Sequence, residues 1–392
     1  MTTLRSICRS LDAFSVFRGV LTTSVFRRFF TYMEAEAGSG AQLDAYGALV
    51  AEIYEGGGSL AACVRRALFE DENVYVRSIA KNGKALPSVA RSAAHELAVL
   101  SRFASLTPAA FAEDMGEKEF LPEFEVEQVD LAEEYAHRVE NIGRYGYGIF
   151  ASYGMFSVDE NGHVKPIESP DDASMENFVG YGEERAKVLA NTEAFLAGRP
   201  AANVLLYGDA GTGKSSSVKA IANHLFDRGL RLIELRKNQL LLLPKVMGEI
   251  GKNPLKFIIF IDDLSFNQND DQFSMLKATL EGSASARAKN AVIYATSNRR
   301  HIVRETFAER EGGDVHRNDT VQETLSLSAR FGLAVLFAKP EKKLYLEIVA
   351  ELAARNGISG DPEELARAAE EFALRRGYRS ARCAEQFIHS LM

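Results

Sequence analysis

Apolar residues along this chain follow two different periods. Up to about residue 145 they recur at helical spacing, as in segments 41–54, 88–106 and 130–142, with few strand-like runs and a break at Gly56-Gly57-Gly58. A mainly helical N-terminal domain over residues 1–145 is expected. At its start Leu4, Ile7, Leu11, Phe14 and Phe17 interleave with Arg5, Arg9, Arg18, Arg27 and Arg28. That pattern fits an amphipathic helix packing on the body of the domain, a helix for a partner, or an organelle-like presequence. Charges interrupt it too early for the continuous apolar core of a secretory signal.

Residues 146–173 read as a hairpin and linker. Ile149-Phe150 and Met155-Phe156 precede Asp159-Glu160-Asn161-Gly162, and His163-Val164-Lys165-Pro166 follows, so Asn-Gly falls between two extended segments. Ser169-Pro170-Asp171-Asp172 is linker-like. From residue 174 short apolar runs alternate with helical patterns. Runs at 204–207, 231–234, 257–261, 291–296 and 333–337 predict a parallel five-stranded sheet, buried on both faces, within an α/β core spanning 174–338. Residues 339–392 hold two helical patterns divided by Gly357, Gly360 and Pro362, the expected pattern of a helical lid.

Composition narrows the function less than the pattern does. Of the 392 residues 46% are hydrophobic and 26% charged, ordinary for a globular chain, and no apolar stretch approaches the roughly 20 residues of a membrane-spanning helix. The formal net charge of −8 argues against broad attraction to nucleic-acid phosphates. Cys8, Cys63 and Cys383 lie far apart with no metal or redox spacing, as expected of free thiols in the cytoplasm. His163, His301, His316 and His389 likewise show no metal spacing.

One motif carries the chemistry. Gly208-Asp209-Ala210-Gly211-Thr212-Gly213-Lys214-Ser215 satisfies G-x-x-x-x-G-K-[ST], with an apolar strand before it and an amphipathic helix after it. Glycines let the backbone wrap around phosphate oxygens, Lys214 is placed to meet the β- and γ-phosphates, and the Ser215 hydroxyl to bind Mg²⁺. These eight residues and the adjoining Ser216 are the candidate nucleotide-binding set. About 50 residues on, Phe257-Ile258-Ile259-Phe260-Ile261 runs into Asp262-Asp263, which places carboxylates at the C-terminal edge of the sheet. Asp262 is the second candidate metal ligand, acting through the ion's water shell, and Asp263 the candidate to orient or deprotonate an attacking water. ATP and Mg²⁺ are the cofactors this pattern calls for.

Further residues resemble the AAA+ superfamily of P-loop NTPases. Ala295-Thr296-Ser297-Asn298 matches the sensor 1 position, which assigns Asn298 to the γ-phosphate or its attacking water. Ser328-Ala329-Arg330-Phe331-Gly332-Leu333 resembles the arginine-finger box, and Ser380-Ala381-Arg382 the sensor 2 arginine, with Arg379 in reserve. Phe178-Val179-Gly180-Tyr181 resembles the segment that packs against adenine, implying contacts from Val179 and Tyr181. More narrowly, Tyr294-Ala295-Thr296-Ser297-Asn298-Arg299-Arg300-His301 with Leu325-Ser326-Leu327-Ser328, Asp262-Asp263-Leu264-Ser265-Phe266 and Gln386-Phe387-Ile388 is similar to a bacterial family of predicted ATP-binding proteins known only as domain of unknown function 815. Two features depart from the superfamily pattern: Asp263 stands where Glu is usual, and Ala329 where an acid precedes the arginine.

The resemblance implies an ATPase that cycles between ATP and ADP and assembles as a homo-oligomer, ring or spiral, with Arg330 reaching a neighbour's nucleotide. Remodelling or loading of a macromolecular protein partner is the leading expectation. A nucleotide-dependent switch with little turnover is the alternative, and a helicase-loader-like nucleic-acid-associated ATPase another, supported only by Arg299-Arg300-His301 and Arg375-Arg376.

Overall fold

The computed structural model describes residues 3–116, 121–264, 271–280, 288–298 and 330–392, and the chain divides into two units, Met1–Ser152 and Tyr153–Met392. In the first unit, local chemistry sets the helix ends. Ser39, Ser59 and Asp130 cap the helices Gly40–Glu55, Leu60–Glu70 and Leu131–Glu140 by accepting N–H groups of their first turns. Pro87 opens Pro87–Ala104, where its missing N–H costs nothing. The first helix, Thr3–Asp12, buries Leu4, Ile7 and Leu11, and Ser24–Glu34 buries Val25, Phe26, Phe29 and Tyr32. Phe26 and Phe29 each lie with ring centroids 4.7 Å from that of Phe103, at the middle of an aromatic core.

This unit runs past residue 145. Tyr147 and Phe150 are buried, and Arg138 donates to the Ala151 carbonyl, so the turn Gly148–Ala151 is tied to it. Ile149-Phe150 therefore lie in a short 3-10 turn instead of the extended segment expected of them.

The second unit is α/β. Among the described residues its sheet has seven strands, correcting the expected five: β1 (Met155–Val158), β2 (Val164–Pro166), β3 (Val204–Gly208), β4 (Leu230–Glu234), β5 (Lys256–Ile261), β6 (Ala291–Ser297) and β7 (Leu333–Phe337), in the order β2-β1-β4-β5-β6-β3-β7. The Asn-Gly hairpin is real, but it is no separate linker element. Met155 to Ser157 of β1 pair in parallel with Leu232 to Glu234 of β4, extending the sheet at one edge. Asp159 fixes the hairpin turn by accepting N–H groups from Asn161 and His163. The remaining pairings are parallel, and β5 is buried from Phe257 through Ile261, as a strand covered on both faces must be.

The C-terminal segment holds three helices, Lys342–Arg355, Pro362–Arg376 and Ala381–His389, one more than its periodicity suggested. Gly377 ends the second in a left-handed conformation and the Ser380 side chain caps the third. Tyr345, Ile348, Phe387 and Ile388 form their shared core.

Candidate nucleotide-binding site

β3 delivers the glycine-rich loop at the C-terminal edge of the sheet, between β6 and β7. Gly208, Gly211 and Gly213 have φ of 131°, 75° and 85°, a region that side chains rarely enter. At Gly208 space is short as well, because a β-carbon there would lie 2.1 Å from the Phe337 carbonyl oxygen. Thr212 donates to the Asp209 carbonyl at 2.9 Å, and the Asp209 carboxylate accepts the Lys339 N–H at 2.9 Å, closing the loop onto the segment after β7. Gly213 then caps the helix Lys214–His224, whose N-terminal field favours an anion beside the loop.

Lys214 is only 6% exposed. Its ammonium donates to the Gly208 carbonyl (3.1 Å), the Asp209 carbonyl (2.7 Å) and Asn298 Oδ1 (3.0 Å). Burial pulls its pKa below the ordinary lysine value, against the opposing pull of Asp209, Asp262 and Asp263. The Asn298 amide also donates to Asp263 Oδ1 at 2.9 Å, so one side chain joins the loop lysine to the second carboxylate. Ser215 donates to Asp262 Oδ1 at 2.6 Å. Every hydrogen bond that the Asp262 carboxylate accepts among the described residues falls on Oδ1.

The Ser215 hydroxyl and the Asp262 carboxylate are oxygen donors of the kind a hydrated Mg²⁺ takes, so the residues present fit that ion. Among the described residues no group of three or more His, Cys, Asp or Glu could hold a metal ion.

The C-terminal helices form the other wall. The Arg382 N–H donates to the Gly211 carbonyl at 3.2 Å. With Phe178, Val179, Gly213, Ser216 and Ile348, Arg382 lines a cavity of about 110 Å³ beside the loop. Arg379 is committed elsewhere, donating twice to Glu370 at 2.8 Å within the lid.

Two sequence-assigned residues stand apart from this cluster. Tyr181 does not line the cavity: its ring stacks on Phe337 at 5.4 Å and its hydroxyl donates to the Ala338 carbonyl at 2.6 Å. Its backbone is left-handed (φ 52°), and from the same segment Phe178 and Val179 line the cavity instead. Arg185 holds Phe178 in turn, its guanidinium 4.7 Å from the ring centre while donating to the Gly180 carbonyl. Arg330 precedes β7 by three residues, and Leu333 pairs with Val204 at the start of β3. The length of β7, five residues at about 3.3 Å each, therefore separates Arg330 from the loop of its own chain. Ser328, Ala329, Arg299-Arg300-His301, Leu325-Ser326-Leu327 and Ser265-Phe266 lie outside the described residues.

Strand, glycine loop, helix and neighbouring strand-end carboxylates together are the core of a P-loop nucleotide-binding fold. Within that class, the family model described as protein of unknown function DUF815 matches residues 151–392, and the chain belongs to that family. Among solved structures, the RuvB Holliday junction branch migration motor of Thermotoga maritima is similar at 13% identity and a TM-score of 0.34. A variant of the same protein gives 14% and 0.35, both over 56% of this chain and 72% of theirs. At that level the likeness adds nothing to what the site's own geometry says. No curated protein matches the chain.

Phe178 lies in the segment matched to adenine packing, whereas Arg185 and Ile348, which also line the cavity, carry no local signal in the sequence because the cavity forms between distant segments. Thr296 was quoted only as part of a motif, yet its hydroxyl touches both Asp262 and the Asp263 backbone.

Proposed function

We propose that this protein is an AAA+ ATPase that hydrolyses ATP with Mg²⁺ and uses the cycle to remodel or load a macromolecular partner. The observation that carries this reading is the hydrogen-bonded set Lys214, Asn298, Asp263, Asp262 and Ser215 gathered around the glycine loop. Gly208 to Gly213 would cradle the phosphates, with Lys214 on the β- and γ-groups. Ser215 and Asp262 would hold Mg²⁺, which when bound would neutralise phosphate charge. Asp263 would orient or deprotonate the attacking water and Asn298 would sense the γ-phosphate. Phe178 and Val179 would pack on the base, and Arg382 would bring the lid to the phosphates.

Arg330 would complete a neighbour's site, because β7 keeps it from its own loop. A head-to-tail contact of that kind generates a ring or a spiral. Phosphoryl transfer depends on positioning and charge, so turnover should rise with assembly.

A second reading, a nucleotide-controlled switch with little turnover, draws support from Asp263. Its side chain is one methylene shorter than the usual Glu and is already engaged by Asn298.

The test is steady-state ATP hydrolysis against protein concentration, with Lys214→Ala and Arg330→Ala alongside. Turnover that grows with self-association and disappears in both variants supports the in-trans ATPase. ATP binding without turnover at any concentration favours the switch.

A further inference from the structure

We infer that Thr296 is the positioning residue that sets both strand-end carboxylates, an inference that rests on the ATP and Mg²⁺ reading above. Thr296 lies near the end of β6 and is 2% exposed. The pairing of Ile261 with Ala295 brings it beside the first residue after β5. Its hydroxyl is used in both directions: Oγ1 donates to Asp262 Oδ1 and accepts the Asp263 N–H at 2.9 Å. Its carbonyl accepts the Leu264 N–H at 2.7 Å. Three consecutive residues beyond β5 are thereby pinned to the end of β6.

The geometry at Asp263 shows what the pin opposes. Asp263 has φ 50° and is, with Tyr181, one of two non-glycine residues of positive φ among the described residues. Such a conformation persists only where surrounding contacts over-determine it. Here the Asp263 N–H donates to the Thr296 hydroxyl at 2.9 Å and, more distantly, to Asp262 Oδ1 at 3.1 Å, which Thr296 itself holds, while Asn298 holds the side chain at Oδ1. Asp262 is fixed in the same way, its Oδ1 clasped between the hydroxyls of Ser215 and Thr296. One hydroxyl thus sets the direction of the metal-side carboxylate and the backbone angle of the water-side one. Valine has the shape of threonine and can make neither bond, whereas serine can make both.

The experiment compares full-length wild type, Thr296→Val and Thr296→Ser. Binding of a fluorescent ATP analogue is titrated with Mg²⁺ and repeated in EDTA, and steady-state hydrolysis is measured on the same samples. For Thr296→Val we expect the Mg²⁺ concentration at half-saturation to rise about tenfold and kcat to fall by about tenfold or more, the size of one hydrogen bond lost at the Asp262 carboxylate and one lost at the Asp263 N–H. Metal-free binding should stay within about twofold, and Thr296→Ser should remain within about threefold of wild type on every measure. A Thr296→Val protein with wild-type Mg²⁺ dependence overturns the inference, and so does a Thr296→Ser protein as impaired as the valine variant, since packing is then what matters. Should the valine variant fail to fold by circular dichroism, Thr296→Ala against Thr296→Ser makes the same comparison. If the wild type binds Mg²⁺–nucleotide but never turns over, the hydrolysis reading falls while the Mg²⁺ titration still decides Thr296. A wild type that binds no nucleotide sinks both.

Discussion

Replacing Gly208 by Ala separates the structural demands of the loop from its chemical ones. The new β-carbon would sit 2.1 Å from the Phe337 oxygen and 2.7 Å from the Phe337 carbonyl carbon. Ordinary contact needs more than about 3.3 Å, so the end of β7 has to retreat by about 1 Å. Gly208 pairs with Phe337, and the Asp209 N–H donates to the Phe337 oxygen at 3.2 Å, so the retreat breaks the last rung between β3 and β7. Holding alanine at φ 131° costs about 1–3 kcal/mol and the lost hydrogen bond about 1 kcal/mol more. The sum, about 2–4 kcal/mol, lowers the urea midpoint of the second unit by about 1–2 M at an ordinary denaturant slope. Gly213→Ala is the control, because its β-carbon meets nothing nearer than Phe178 at 3.8 Å. It carries only the strain of φ 85°, about 1 kcal/mol, but lies where, on the proposed function, the backbone would wrap the phosphates. Gly208→Ala should therefore lose mostly stability, and Gly213→Ala mostly nucleotide affinity. Urea unfolding followed by far-UV circular dichroism, paired with nucleotide titration, reads both. A Gly208→Ala midpoint within about 0.3 M of wild type, or a Gly213→Ala shift as large as that of Gly208→Ala, refutes the reasoning.

Two further outcomes are expected. Arg379→Ala should lower the melting temperature of the second unit by about 2–4 °C, about 1 kcal/mol for a partly exposed bidentate pair with Glu370, and leave nucleotide affinity alone. Arg382→Ala should do the reverse, and calorimetry with a nucleotide titration on both variants distinguishes them. In the first unit, burial raises the Asp71 pKa from 3.8 to about 6, with Glu72 and Glu96 adding to the rise and Asn73 and Arg77 opposing it. Between those two values the folded unit keeps a proton that the unfolded chain has lost, so stability falls as pH rises through about 4 to 6. Discounted for the solvent screening of a partly exposed group, the fall is about 1–2 kcal/mol. Asp71→Asn should remove this slope and melt higher than wild type at pH 7, and a scan of melting temperature against pH with an unchanged slope would count against it.

What the sequence made legible was local. The glycine loop declares itself because side chains rarely accept the φ values at Gly208, Gly211 and Gly213, and because a lysine follows it at once. Runs such as Phe257 to Ile261 are long and apolar enough to read as buried strands without knowing their neighbours. The hairpin turn at Asn161-Gly162 was equally visible, yet its place in the sheet was not. β1 pairs with β4, whose residues lie some 75 positions further along the chain, and no local pattern encodes a partner at that distance.

The same limit explains which side chains the fold brings to the cavity. Phe178 and Tyr181 belong to one short segment, and which ring meets the cavity is decided by the left-handed turn at Tyr181 and by Arg185 on the following helix. Thr296 and Asn298 belong to one strand end, and what divides their tasks is register. Because Ile261 pairs with Ala295, Thr296 falls level with Asp262, while Asn298 projects two residues further to Lys214 and Asp263. A motif read along the chain ranks such residues by type. The sheet ranks them by height above its edge, which is why the threonine meets Asp262 and the Asp263 backbone while the asparagine meets Lys214 and the Asp263 side chain.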